Sequence, residues 1–194
     1  MDDSKEIIAS VGSVIVEQGD PYLVEKYKQH DKWLHPSYDI ALCKLKKALT
    51  FGKAVKRVLL MRTPPKAQTA VLTGWGAYEE VDYLESVQLK HAKQRLWPNK
   101  KCKQLVEMAP NGTICGGKPN ATRNFASRGD SGSGLLINNK VLIGIVSFKN
   151  KKFSRSIVVY TDTSYYYDWI VRESKLLVCC KRCNTKKNTT KKNG

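Results

Sequence analysis

The chain has 194 residues, 34 Lys and Arg against 17 Asp and Glu, and a formal net charge of +17. Hydrophobic residues at 41% and charged residues at 26% exclude an intrinsically disordered or collagen-like polymer, and the length suits one domain or two small ones. No stretch reaches the roughly 18 continuous apolar residues of a membrane helix, and the opening MDDSKEIIAS lacks the apolar core of a signal peptide.

Short apolar runs divided by turn residues predict an all-β chain. IIASVGSVIV (7–16) reads as two short strands about Gly12, and DIALCKL (39–45) as the next strand. Pro64-Pro65 marks a sub-domain boundary. AVLTGW (70–75), SVQLK (86–90), SGLLI (133–137), VLIGIVSF (141–148) and SIVVY (156–160) follow. Asn138-Asn139 joins two of these runs, and Asn tolerates the positive φ of a tight hairpin. A helix over 162–178 is expected at the end, capped by Asp162 or Thr163, with Tyr166, Trp169, Ile170 and Leu177 near one face. Residues 179–194 are polar, cationic and of low complexity, the composition of a disordered tail.

The charge is concentrated at that end. Lys175, Lys181, Arg182, Lys186, Lys187, Lys191 and Lys192 follow one another with no acid between them. Such a surplus favours polyanions, so contact of the basic tail with a polyanion is one reading. No motif for specific nucleic-acid recognition accompanies it. Cys179, Cys180 and Cys183 crowd the tail without a nearby histidine or fourth cysteine, which leaves a zinc site incomplete. No metal and no cofactor is implied. The sequons at Asn111 and Asn120 are candidate N-glycosylation sites, with a third at Asn188, and they point to a secretory setting.

The chemistry centres on Gly129-Asp130-Ser131-Gly132, just before a strand. A nucleophilic serine needs small neighbours and backbone N–H groups aimed at a developing oxyanion. Alone, this tetrapeptide reads first as a tight turn. In order along the chain, however, stand Tyr38-Asp39-Ile40-Ala41-Leu42, Thr73-Gly74-Trp75-Gly76, Cys102 with Cys115, the GDSG segment, Val159-Tyr160-Thr161 and Trp169-Ile170. This ordered set resembles the trypsin/chymotrypsin-like (S1) family of serine proteases over residues ~6–178.

The resemblance implies two β-barrels with the active site between them, followed by a C-terminal helix. Residues 1–63 match an incomplete first barrel, 64–161 the second, and 162–178 the helix. It implies peptide-bond hydrolysis through an acyl-enzyme on Ser131. Asp39 takes the place of the triad aspartate, and the N–H groups of Gly129 and Ser131 that of the oxyanion hole. Asp130 takes the place of the carboxylate that pairs with a new N-terminal amine on activation; without that partner it is expected to be buried and unpaired. Cys102 and Cys115 match a family disulfide. Phe125, Ser147, Lys149 and Val158 match the pocket for the substrate residue before the scissile bond, shallow, apolar and without an acid to receive Lys or Arg.

The family's general-base histidine has no counterpart. His30 and His35 match the loop leading to Asp39, and His91 a surface position beyond the SVQLK run. Losing that base costs about a million-fold in turnover, or about 8 kcal/mol of barrier. Three readings follow: an N-terminally truncated, extracellular endopeptidase that is inactive as it stands, a non-catalytic homologue that binds proteins or peptides, and a polyanion-binding basic protein.

Overall fold

The computed structural model describes residues 6–77, 84–107, 109–152 and 154–179. It is mostly β, with a closed barrel at its centre. Six strands form the ring: β5 (Thr69–Gly74), β6 (Lys90–Trp97), β7 (Thr113–Gly116), β8 (Gly134–Ile137), β9 (Val141–Phe148) and β10 (Val158–Asp162). Their order around it is β10-β7-β6-β5-β8-β9, and pairing of β9 with β10 closes it. Before them in the chain, β4 (Leu59–Leu60) adds to the outside of β9 in parallel.

Sequence explains why these runs sit where they do. In β10, Val158 and Tyr160 belong to the barrel core with Leu72, Leu135, Ile143 and Val146. The alternate residues Ile157 and Val159 pack with Cys102, Val106 and Cys115 under the short helix α1 (Asn99–Leu105). Both faces of this strand are covered, so its apolar run is continuous instead of alternating. The Asn138-Asn139 turn has φ of 51° and 53°, and the Lys140 N–H donates to the Ile137 carbonyl at 3.0 Å, the tight hairpin its sequence predicts.

The N-terminal third is an open, antiparallel sheet of three strands, β1 (Ile8–Val11), β2 (Asp20–Gln29) and β3 (Ala41–Leu45). Across residues 6–69 only Ile40 is buried, while Ile8 keeps 58% of its surface. Among the described residues this sheet is held to the barrel side at several points, two of them away from Asp39. The segment around Val14 lies against residues 86–89: Leu89 N–H and the Trp75 indole both donate to the Val14 carbonyl, at 2.7 and 3.0 Å. The second is the final helix, α2 (Tyr167–Val178), whose Trp169, together with Tyr166 just before it, packs on Ile40.

Several expectations need correction. The helix starts at Tyr167, later than 162, because Asp162 Oδ1 accepts from Ser164 N–H (2.8 Å) and Oγ (2.7 Å) and shapes a separate turn first. Of 7–16 only Ile8–Val11 is a strand; Ile15 makes a single bridge with Gln88. The SVQLK run contributes only Lys90 to β6. Strands β2, β4 and β7 and helix α1 are additions. β2 has no covered face and hence no apolar alternation, and α1 buries Cys102 alone among seven otherwise polar or half-exposed residues.

His30 lies in the joint between sheet and helix. It stacks on Tyr38 and Trp169 with centroids 4.8 and 4.9 Å away, and meets Tyr166 edge-on. Burial holds its pKa below the ordinary value, with Asp31 opposing the shift and Lys32, Arg172 and Lys28 adding to it. The folded form therefore binds a proton less readily than the unfolded chain. Stability should be fully present above about pH 6.5 and fall as the pH drops below it. His30→Phe keeps a ring in the stack and removes the proton, so denaturant midpoints at neutral and mildly acidic pH should differ less in this variant than in the parent.

Candidate active site

The centre of β9 gathers the residues singled out by sequence. Gly132 N–H donates to the Val146 carbonyl, and Val146 N–H donates to the Ser133 carbonyl, both at 2.9 Å. These bonds tie the Gly129–Gly132 loop to the strand. The next residue, Ser147, donates its Oγ to Asp39 Oδ2 at 2.6 Å. From β10, Thr161 Oγ1 donates to the Asp39 carbonyl at 2.7 Å. The exposed Ser131 and the half-buried Asp39 are thus referred to consecutive residues of one strand. Ser147 is Asp39's hydrogen-bond partner.

Gly129 and Gly132 have φ of +92° and +86°, the left-handed region where a side chain is strained. At Gly129 space is short as well, since a Cβ would meet Gly76 Cα at 3.1 Å. Among the described residues nothing accepts a hydrogen bond from the Gly129 or Ser131 N–H. A loop of this kind can present two N–H donors beside a hydroxyl, the donor arrangement acyl transfer requires.

Asp130 is not stranded. It is 8% exposed, and it accepts the Gly76 N–H on Oδ1 at 2.8 Å and the Ser127 N–H on Oδ2 at 2.9 Å. The expectation of an unpaired carboxylate fails because backbone donors from two loops close around it. A cavity of about 410 Å³ opens beside it, lined among others by His91, Arg123, Phe125 and Ser127.

The remaining predicted positions are placed as follows. Phe125 packs on the barrel core that contains Val158, and Lys149 carries its ammonium 4.5 Å from the centre of the Phe125 ring. Cys102 and Cys115 form a disulfide, with Cα atoms 5.3 Å apart, that joins α1 to β7. Asn111 and Asn120 are exposed, and Lys103 Nζ donates to Asn111 Oδ1. Among the described residues no hydrogen bond links a histidine to Ser131 or Asp39: His30 sits in its aromatic stack, His35 lies edge-on to Phe148, and His91 is exposed on β6. Among the described residues there is also no cluster of metal-ligating side chains, and no helix is long and apolar enough to cross a membrane. Cys180, Cys183, Asn188 and most of the basic tail lie outside the described residues.

Comparison with known proteins places this geometry. The family model described as Trypsin matches residues 3–170. Hypodermin-B of Hypoderma lineatum is 33% identical over 173 residues, covering 84% of this chain and 66% of the relative. Trypsin iota of Drosophila melanogaster is 31% identical, covering 79% of this chain and 62% of the relative. The chain therefore spans slightly under two thirds of the length of each. Among solved structures, mouse neuropsin superposes with a TM-score of 0.78 at 23% identity, covering 89% of this chain and 81% of that one, a likeness of fold.

Asp130→Ala should destabilise the chain. It leaves the Gly76 and Ser127 N–H groups without their acceptor, at about 1–3 kcal/mol for each one that stays buried. Asp130→Asn retains one acceptor oxygen and should cost less. Urea midpoints of the two variants test the order.

Proposed function

Because the chain belongs to the trypsin family of serine endopeptidases, we propose that this domain carries an acyl-transfer site on Ser131 and that, as it stands, it holds that serine without its general base. In this reading Ser131 Oγ attacks the carbonyl carbon of a peptide bond. The N–H groups of Gly129 and Ser131 receive the oxyanion, and as it collapses to the acyl ester the C–N bond breaks and the proton from the Ser131 hydroxyl ends on the departing amine. Asp39 would orient and stabilise a protonated base. The observation that carries the proposal is the Ser147–Asp39 hydrogen bond, made one residue from the bond that holds the nucleophile loop. It fixes the orientation of the carboxylate, which supports the reading of Asp39 as the acid that would orient a base.

The second reading, peptide binding without turnover, is favoured by the histidines. His30 and His35 are engaged in ring contacts, His91 is exposed on β6, and among the described residues none hydrogen-bonds Ser131 or Asp39, so proton removal from Ser131 has no agent there. The disulfide and the exposed Asn111 and Asn120 sequons support an extracellular setting.

A fluorophosphonate that phosphonylates nucleophilic serines separates these readings. Slow labelling confined to Ser131 and lost in Ser131→Ala is expected, with peptide hydrolysis roughly a million-fold below that of a complete triad. Labelling complete within seconds would show that a base reaches Ser131 and would overturn the proposed deficit. No labelling at all would leave peptide binding as the function of the cleft.

A further inference from the structure

Residues 86–129 carry nine Lys and Arg against a single acid, Glu107, so this stretch supplies +8 of the net +17. Side chains on β6 alternate across the barrel wall. Gln94, opposite the core residue Ala70, is fully buried, while His91, Lys93 and Arg95 are exposed on the outer face. That row spans about 14 Å at roughly 3.4 Å per residue. Its partners on β5 are Thr73, Val71 and Thr69, so no carboxylate stands opposite where a cross-strand ion pair could form. The row continues onto α1. Trp97 packs with the cluster beneath this helix and carries the Arg95 guanidinium 4.2 Å above its ring centre. Lys100, Lys101 and Lys103 are exposed on the helix. Lys101 and Lys103 donate to the side-chain amides of Gln104 and Asn111, groups without charge. Among the described residues none of these lysines, nor Arg95, pairs with a carboxylate.

The fold gains nothing from this arrangement. Cations on a sheet edge guard against strand addition, but β6 lies between β5 and β7 in the ring. Like charges set side by side repel, and that repulsion opposes the compact state. A polyanion laid along the row would relieve it and release its own counterions. Single-stranded nucleic acid binds chiefly where bases can stack on open aromatic faces. Here the indole at the end of the row is covered by Arg95, and its Nε1 donates to the Gly117 carbonyl at 2.9 Å. The disulfide and the exposed sequons favour an extracellular polymer. We propose that the outer face of β6 together with α1 binds a sulfated polysaccharide, with Lys93 and Arg95 on the strand and the lysines of the helix receiving its anionic groups. This surface works by charge alone and does not depend on the chemistry of Ser131.

Heparin is the probe, titrated into the full chain over a series of salt concentrations. Lys93→Gln combined with Arg95→Gln should weaken binding about tenfold near physiological salt and lower the slope of log K against log salt by about one to two. Lys53→Gln combined with Lys56→Gln removes two exposed charges from the segment before β4 and should change the affinity less than about twofold. The loss from the strand pair should persist in a chain whose Lys186, Lys187, Lys191 and Lys192 are glutamine, which separates this face from the basic tail. Lysine acetylation of the parent chain needs no variant: heparin should protect Lys93 and Lys100 and leave Lys53 reactive. Equal losses from the two pairs of substitutions, or no protection of Lys93, would show binding by diffuse charge and overturn the proposal. Oligothymidylate of matched charge binding as tightly as heparin would assign the face to nucleic acid and overturn it as well. Fluorophosphonate labelling of Ser131 is read separately, so failure here leaves the acyl-transfer reading untouched.

Discussion

Closure of the barrel through β9 and β10 is the constraint on which everything else rests. The two strands are paired along Gly144–Phe148 and Val159–Asp162. That seam completes a ring in which each strand has a neighbour on both sides and no edge is left open. The same residues then do the work of the site. Val146 fixes the nucleophile loop, Ser147 and Thr161 fix Asp39, and Phe148 and Lys149 run on into the cleft. A shift of one residue in this pairing would turn Ser147 inward and bury the hydroxyl that Asp39 needs, since strand side chains alternate between faces.

The loop around Asp130 shows how a buried carboxylate can be kept without a cation. Removal of a charge from water costs several kcal/mol unless donors replace the lost hydration. Here the donors are main-chain N–H groups from the TGWG segment and from the loop's own start. The aspartate therefore serves as a staple between two loops. It joins the segment that follows β5 to the one that carries Ser131, and Ala77 N–H reinforces the joint by donating to the Arg128 carbonyl at 2.8 Å.

What could be read from sequence, and what could not, divides along physical lines. Strands buried on both faces, such as VLIGIVSF and the VVY run, announce themselves as unbroken apolar stretches, and the Asn-Asn hairpin announces itself through positive φ. The Gly129–Gly132 loop and Asp39 were singled out because an ordered set of motifs resembles a family pattern, not through any period in the chain. β2 was not, because a strand with both faces half in water has no period to detect. Asp130's partners were not, because a backbone N–H belongs to every residue type except proline. Ser147 was noticed, but its role depends on which way its hydroxyl turns, and only the packed strand decides that.

Asp39 has a double allegiance. By position in the chain it precedes β3 and belongs to the sparsely covered N-terminal sheet. By its bonds it belongs to the barrel, through Ser147 and Thr161, while its neighbour Ile40 is clamped under Tyr166 and Trp169. The end of β2 reaches the same point, since His30 N–H donates to the Ile40 carbonyl at 3.0 Å, so Asp39 is the hinge at which the first sheet and the barrel meet.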